Sequence, residues 1–155
     1  MAKQYSKMEI IRELREHHIM PTHQRMEIFK VLFAKPQHLS ADQVLEKVNK
    51  HDAHVSKATV YNTLGVFSRR GLVREVIVDP TKIFYDPTTI PHHHIYNMDT
   101  GTLTDLDVAE LDMGTLPAPP AGTRIEGIDV IVRVRSTTLS QSDTNNHGQA
   151  AVVAE

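Results

Sequence analysis

A change of hydrophobic period near residue 71 constrains the fold of this chain more than any other feature. Before it, apolar residues recur at helical spacing, and several runs open on a residue able to cap a helix. Met8, Ile11 and Leu14 define the first run, which Pro21 interrupts. Thr22 predicts an N-cap for a helix reaching about Ala34, with Met26, Phe29, Val31 and Phe33 to bury and Pro36 beyond its end. Ser40 and Gln43 make an S-x-x-Q capping box ahead of Val44, Leu45 and Val48. Ser56 predicts the cap of a further helix that presents Val60, Leu64 and Phe67 and stops at Gly71. After Gly71 the period is two. Leu72-Val73 and Val76-Ile77-Val78 read as a strand, Asp79-Pro80-Thr81 as a turn, and Ile83-Phe84-Tyr85 as the returning strand. Three or four helices followed by a β-hairpin form the winged-helix pattern.

A β-rich part follows. His94 to Met98 and Thr102 to Leu106 read as strands around an Asp99-Thr100-Gly101 turn, and Pro117 to Gly122 as a stiff loop. Ile128, Val130, Val132 and Val134 alternate as the buried face of a strand. From Ser136 the chain is polar and aperiodic, which predicts a disordered tail. The expected class is α+β: a winged-helix part over residues 1–86, a small second part over 87–135, and a tail over 136–155.

The 155 residues contain no cysteine, which rules out disulfides and thiolate zinc sites. No apolar run reaches signal-peptide or membrane-spanning length, so a cytoplasmic protein with no membrane partner is expected. Charge is divided: residues 1–74 carry 13 Lys and Arg against 7 Asp and Glu, the remainder 4 against 12. A basic first half suits a polyanion and an acidic second half suits cations.

The helix behind Ser56 is the candidate DNA reader. Its apolar stripe leaves Lys57, Thr59, Tyr61 and Asn62 near the outward N-terminal side, where a recognition helix offers side chains to base edges. Thr and Tyr can touch the thymine methyl, and Asn can pair with adenine. Arg69, Arg70 and Arg74 suit phosphates near the wing. An amphipathic helix alone is weak evidence; the helix–hairpin order and the basic half favour double-stranded DNA.

His92, His93 and His94 are consecutive. On a strand, His92 and His94 share a face and His93 points away. Asp86 lies six residues before His92, Asp105 lies eleven after His94, and His38 precedes the capped helix, where a ligand between domains could sit. Imidazole with carboxylate suits Fe(II), Mn(II) or Zn(II). Imidazole is also an axial ligand of haem iron, so His92, His93 and His94 are candidate haem ligands.

Pro21-Thr-His-Gln-Arg25, His38-Leu-Ser-Ala-Asp42, Ala58-Thr-Val-Tyr-Asn-Thr-Leu64, Gly71-Leu-Val73 and the histidine triplet together resemble the ferric uptake regulator (Fur) superfamily over about residues 8–135. The resemblance implies a winged-helix DNA-binding domain over residues 1–86 hinged to a small α/β metal- or haem-sensing dimerisation domain over 87–135, in a regulator of iron, zinc, manganese, peroxide or haem genes. Carried over, the metal site between domains falls on His38, Asp86, His92, His94 and Asp105, although a one-residue gap would put Tyr85 in place of Asp86. The base-contacting tyrosine falls on Tyr61. Asn97 and Thr100 stand where many members carry a C-x-x-C zinc pair, Met20 where a basic residue is usual, and no histidine matches the family's other metal site near residues 123–131. The cysteine loss, the triplet, Asp99-Thr-Gly101 and the ending Pro117 to Arg135 are most similar to the iron response regulator (Irr) branch. That branch implies haem sensing through the triplet and a haem-delivering protein as a further partner.

The expected function is therefore an iron- or haem-responsive DNA-binding regulator, a homodimer on a pseudo-palindromic operator. Direct sensing of Fe, Mn, Zn or peroxide without haem is the alternative. An HxH metalloenzyme is a distant one, because a cupin-like barrel needs a further His ligand and only His147 follows.

Overall fold

A computed structural model describes residues 3–50 and 54–137. Four helices lead: α1 (Lys7–Glu16), α2 (His23–Phe33), α3 (Ala41–Val48) and α4 (Lys57–Arg69). Each starts where a side chain takes an orphan backbone N–H. Thr22, Ser40 and Ser56 cap α2, α3 and α4, and Ser40–Gln43 closes as a reciprocal capping box. A second box, Ser6 with Glu9, opens α1. Helix α4 ends in a Schellman turn: Leu72 N–H donates to the Phe67 carbonyl at 2.9 Å and Gly71 N–H to that of Ser68 at 3.0 Å. Gly71 takes φ +72°, which a side chain would disfavour.

The helical core joins Ile10 and Leu14 of α1, Ile28, Phe29 and Leu32 of α2, Val44 and Val48 of α3, and Val60, Leu64 and Phe67 of α4. Met8, expected on the buried stripe of α1, is 72% exposed, because Ile10 and Leu14 set that face. Leu72 and Val73 are buried in this core as a loop and not as a strand.

The hairpin consists of β2 (Arg74–Asp79) and β3 (Lys82–Asp86), and a two-residue strand β1 (Leu39–Ser40) joins its other edge in the order β1-β3-β2. A second sheet, ordered β5-β4-β6, holds β4 (His93–Asn97), β5 (Thr102–Leu106) and β6 (Ile131–Val134). β4 pairs antiparallel with β5 and parallel with β6. The sheets meet through Val76, Val78 and Phe84 on one side and Tyr96 and Leu103, with Ile131 packed against them, on the other. Tyr85, one residue from Phe84, packs instead into the helical core. The fold is α+β.

The final strand departs from expectation. It spans only Ile131–Val134, and its inward side chains are Ile131 and Arg133, whose guanidinium donates to the Val78 carbonyl at 2.6 Å. Ile128 and Val132, expected inside, are each 37% exposed. The parallel register with β4, beginning His94↔Ile131, turns the other residue set outward. Residues 107–130 carry one 3-10 turn (Val108–Glu110) and are otherwise irregular and almost wholly exposed. Of the expected tail, residues 138–155 lie outside the described residues.

Candidate metal centre and nucleic-acid interface

Strand alternation builds the centre. Phe84, Tyr96 and Leu103 fill the apolar space between the sheets. Two residues along each strand, on the same faces, stand Asp86, His94 and Asp105. His94 and Asp105 are register partners. His38 immediately precedes β1, whose pairing Leu39↔Tyr85 carries it to Asp86. His92 enters from the residue before β4. The result is a cluster in which one donor atom from each of His38, Asp86, His92, His94 and Asp105 lies within 4.8 Å of the others. All five residues expected from the sequence converge, and Asp86, not Tyr85, faces the cluster.

All three imidazole Nε2 atoms aim at the two carboxylates. Asp86 Oδ2 is 3.1 Å from His38, 2.8 Å from His92 and 3.3 Å from His94. Asp105 Oδ1 is 2.9, 3.2 and 3.8 Å from the same three nitrogens. Asp86 and His94 are buried to 1% exposure, whereas Asp105 stays open to solvent. Burial opposes ionisation of Asp86, but hydrogen bonds from His38, His94 and the Thr88 N–H outweigh it and hold the carboxyl far below its usual range. Burial likewise disfavours a charged His38. The hydrogen bond to Asp86, the charges of Asp86 and Asp105 and a backbone hydrogen bond to Leu103 overcome that and raise its pKa.

His92 tests whether a cation fits. Its Nδ1 lies 2.7 Å from the Ile90 carbonyl, which can only accept, so Nδ1 carries the proton. In the neutral form of the ring, the form able to ligate a cation, the bare Nε2 lone pair then faces the site. That atom is buried with no hydrogen-bond partner. A lone pair facing a carboxylate oxygen is repulsive, and a divalent cation between them converts both into ligands. The Nδ1–H bond to a carbonyl is also the outer-sphere contact that fixes a ligating imidazole. Three nitrogens and carboxylate oxygens without thiolate match Fe(II), Mn(II) or Zn(II).

The histidine triplet is split. His93 points to the opposite face of β4, is 7% exposed, and accepts the Val130 N–H on Nδ1 at 3.3 Å. A single iron therefore does not meet His92, His93 and His94 together in this conformation.

Helix α4 presents Lys57, Tyr61, Asn62 and Arg69 to solvent, with Arg70 at its C-cap and Thr59 half-buried. Thr59 Oγ1 sits 2.9 Å from the capping Ser56 hydroxyl. Tyr61 donates its hydroxyl to Asp42 at 3.2 Å, and Lys57 Nζ is 3.6 Å from the same carboxylate. Asp42 is a neighbour of Tyr61 and Lys57, on the α4 surface, that sequence reasoning missed; it entered only as part of the His38–Asp42 motif. Arg74, expected on phosphates, is turned away from that surface. It ion-pairs with Asp129 and donates to the His92 carbonyl at 3.4 Å, because its strand position opposite Asp86 aims it at the cluster.

No helix among the described residues is long and apolar enough to cross a membrane. The all-β barrel of a cupin-like enzyme is not what these residues form: four helices and two three-stranded sheets occupy the described chain.

Comparison with known proteins agrees with this architecture. Peroxide-responsive repressor PerR of Staphylococcus saprophyticus is 31% identical over 102 residues, 66% of this chain and 69% of that protein. PerR of Staphylococcus epidermidis is 31% identical over 104 residues, 67% and 69% of the two chains. The manganese-containing ferric uptake regulator from Pseudomonas aeruginosa shares the fold with a TM-score of 0.61 at 24% identity, covering 81% of this chain and 96% of that one. The Vibrio cholerae ferric uptake regulator does so with a TM-score of 0.64 at 19% identity, covering 81% and 98%. Residues 8–118 match the Ferric uptake regulator family, and the chain belongs to it.

Proposed function

We propose that this chain is a homodimeric, metal-responsive transcription regulator whose DNA affinity is set by a divalent cation on His38, Asp86, His92, His94 and Asp105. The observation that carries this reading is the origin of the five donors. His38 and Asp86 come from the winged-helix part, residues 1–86, and His92, His94 and Asp105 from the sensing part, residues 87–135. A cation bound by both parts favours one angle between them, and it shifts DNA affinity only through its different affinity for the two arrangements. The strands after residue 87 pair two chains. Each α4 then enters a major groove of a pseudo-palindrome, half-sites about 10 bp apart, with Lys57, Thr59, Tyr61 and Asn62 toward bases and Arg69 and Arg70 toward phosphates.

Fe(II), Mn(II) and Zn(II) all suit the donors. Similarity to peroxide-responsive repressors favours peroxide as a signal read at an iron-filled site. Haem sensing of the iron response regulator kind, with a haem-delivering protein as partner, would rest on His92, His93 and His94 and requires His93 to leave its bond with Val130.

Metal and haem analysis of the purified protein, paired with operator affinity in each form, tests these readings. Tight DNA binding that needs Fe(II), Mn(II) or Zn(II) supports the proposal, and loss of binding on peroxide treatment of the Fe(II) form alone supports peroxide sensing. A Soret shift with haem, with release from DNA, supports the haem reading. Equal affinity with EDTA, metal and haem rejects all three.

A further inference from the structure

The side chain of Arg74 reaches the metal cluster from outside it. Arg74 leads β2 and stands in register with Asp86 on β3. Its guanidinium donates through one nitrogen to the His92 carbonyl and pairs through another with Asp129. The side chain is 22% exposed, while Asp129 remains open to solvent. The residue after Asp129 is fastened to the same strand: Val130 N–H donates to His93 Nδ1, and the Val130 carbonyl accepts the His94 N–H at 3.1 Å. The backbone of His92 and the entry into β6 are thus tied to one cation on the wing.

We propose that Arg74, with Asp129 as its counterion, is a positioning residue that holds His92 in its ligating pose and couples a filled metal site to the seating of β6. The inference rests on the metal-regulator reading above. His92, like His38 before β1, stands one residue outside its strand: it precedes β4, in a segment with no ladder hydrogen bonds. Its ring is held by the Ile90 carbonyl and its backbone by Arg74. Arg suits this place because its planar fork serves two acceptors at once, which the single ammonium of lysine does less well. Without Arg74 the loop keeps its composition but loses the contact that aims Nε2 inward. Outer partners of metal ligands are typically worth about 10- to 100-fold in metal affinity.

Mn(II) affinity of the full chain is measured by chelator competition for wild type, Arg74→Met, Arg74→Lys and Asp129→Asn, together with melting temperature in EDTA. Co(II) ligand-field spectra report coordination number. The expected result is a Kd raised roughly 10-fold or more for Arg74→Met, a smaller rise for Asp129→Asn, partial recovery in Arg74→Lys, and a Co(II) spectrum of lower coordination number in Arg74→Met. A general structural role would lower the EDTA melting temperature and leave the Co(II) spectrum unchanged. That outcome overturns the proposal. So does unchanged Mn(II) affinity with a salt slope of DNA binding reduced by about one, the signature of a phosphate contact. If Arg74→Met does not fold, Asp129→Asn and Arg74→Lys carry the same test, and wild-type affinity in either rejects the proposal. Wild-type protein that binds no Mn(II), Co(II) or Zn(II) defeats the underlying metal reading instead.

Discussion

His92 Nε2 lies 2.8 Å from Asp86 Oδ2, and no hydrogen bond joins them. In the neutral, ligating form of the ring the one proton is on the far side, given to the Ile90 carbonyl. Removing the His92 ring therefore takes away a ligand and also a repulsive contact. His92→Ala should raise the Mn(II) Kd beyond the roughly 10- to 100-fold expected for loss of an outer partner, while the melting temperature in EDTA stays unchanged or rises. His93→Ala, on the opposite face, should keep Mn(II) affinity. Chelator competition and thermal melts on the two variants check both halves. Loss of affinity in His93→Ala but not in His92→Ala would falsify the assignment.

The two perturbed groups of the cluster give a pH dependence with a definite sign. Asp86 has a depressed pKa, so its contribution to the metal-free fold is present above its ordinary value of 3.8 and is lost as pH falls through the depressed one. His38 has a raised pKa, so its contribution is full below its ordinary 6.5 and disappears as pH rises through the raised value. In EDTA the site should stabilise the protein most in the mildly acidic range between those ordinary values. Cation binding needs unprotonated imidazoles, so the melting-temperature gain from Mn(II) should grow as pH rises past 6.5. Melts with EDTA or Mn(II) across that range measure it; a metal gain that shrinks with rising pH contradicts the five-residue site.

What the sequence made legible were features with local causes. Ser40–Gln43, Ser56 and Gly71 act through neighbours within a few residues, and all three stand where expected. The convergence of His92 and His94 was legible because a histidine at each end of an HxH shares a face on a strand. The path of His38 to Asp86 was not, since β1 has two residues and no periodicity to read. Arg74 carried the right charge for phosphate, but its partner Asp129 is 55 positions away and no local pattern announces it. Ile128 and Val132 alternate as a buried face would, yet the register of a parallel pair with β4 decides which side faces inward.

Lys57 and Tyr61 share Asp42 in the free protein, with the Lys57 ammonium 5.6 Å from the Tyr61 ring centroid. Exposed pairs of this kind are worth at most about 1 kcal/mol, so DNA phosphate can take Lys57 from Asp42. Lys57→Ala should weaken binding evenly across operator sequences and lower the salt slope by about one. Tyr61→Ala should cost about 1–3 kcal/mol and relax preference at one base position, with little change in slope. Titrations at several salt concentrations against operator and scrambled duplexes separate the two. A sequence-independent loss from Tyr61→Ala removes it from base reading.

The outward face of the second sheet carries Ile95, half-buried, and Val132, its register partner on β6. Ile128, Ile125, Met113 and Leu116 are exposed at 37, 48, 38 and 41% in the segments leading to that strand. Exposed apolar side chains on and leading to one sheet face are candidates for an association surface, and the proposed dimer places them between copies. Val132→Asp puts a carboxylate there without touching the helical core, which shares no buried residue with the sheet–sheet core. The variant should keep its helical circular dichroism, run as a monomer in light scattering, and lose operator affinity, because one reading head on a two-site operator forfeits the second contact. Mn(II) affinity should survive, since the five donors belong to one chain. A Val132→Asp protein that remains dimeric moves the interface elsewhere, and a monomer that binds the operator as tightly as wild type removes dimerisation from the mechanism.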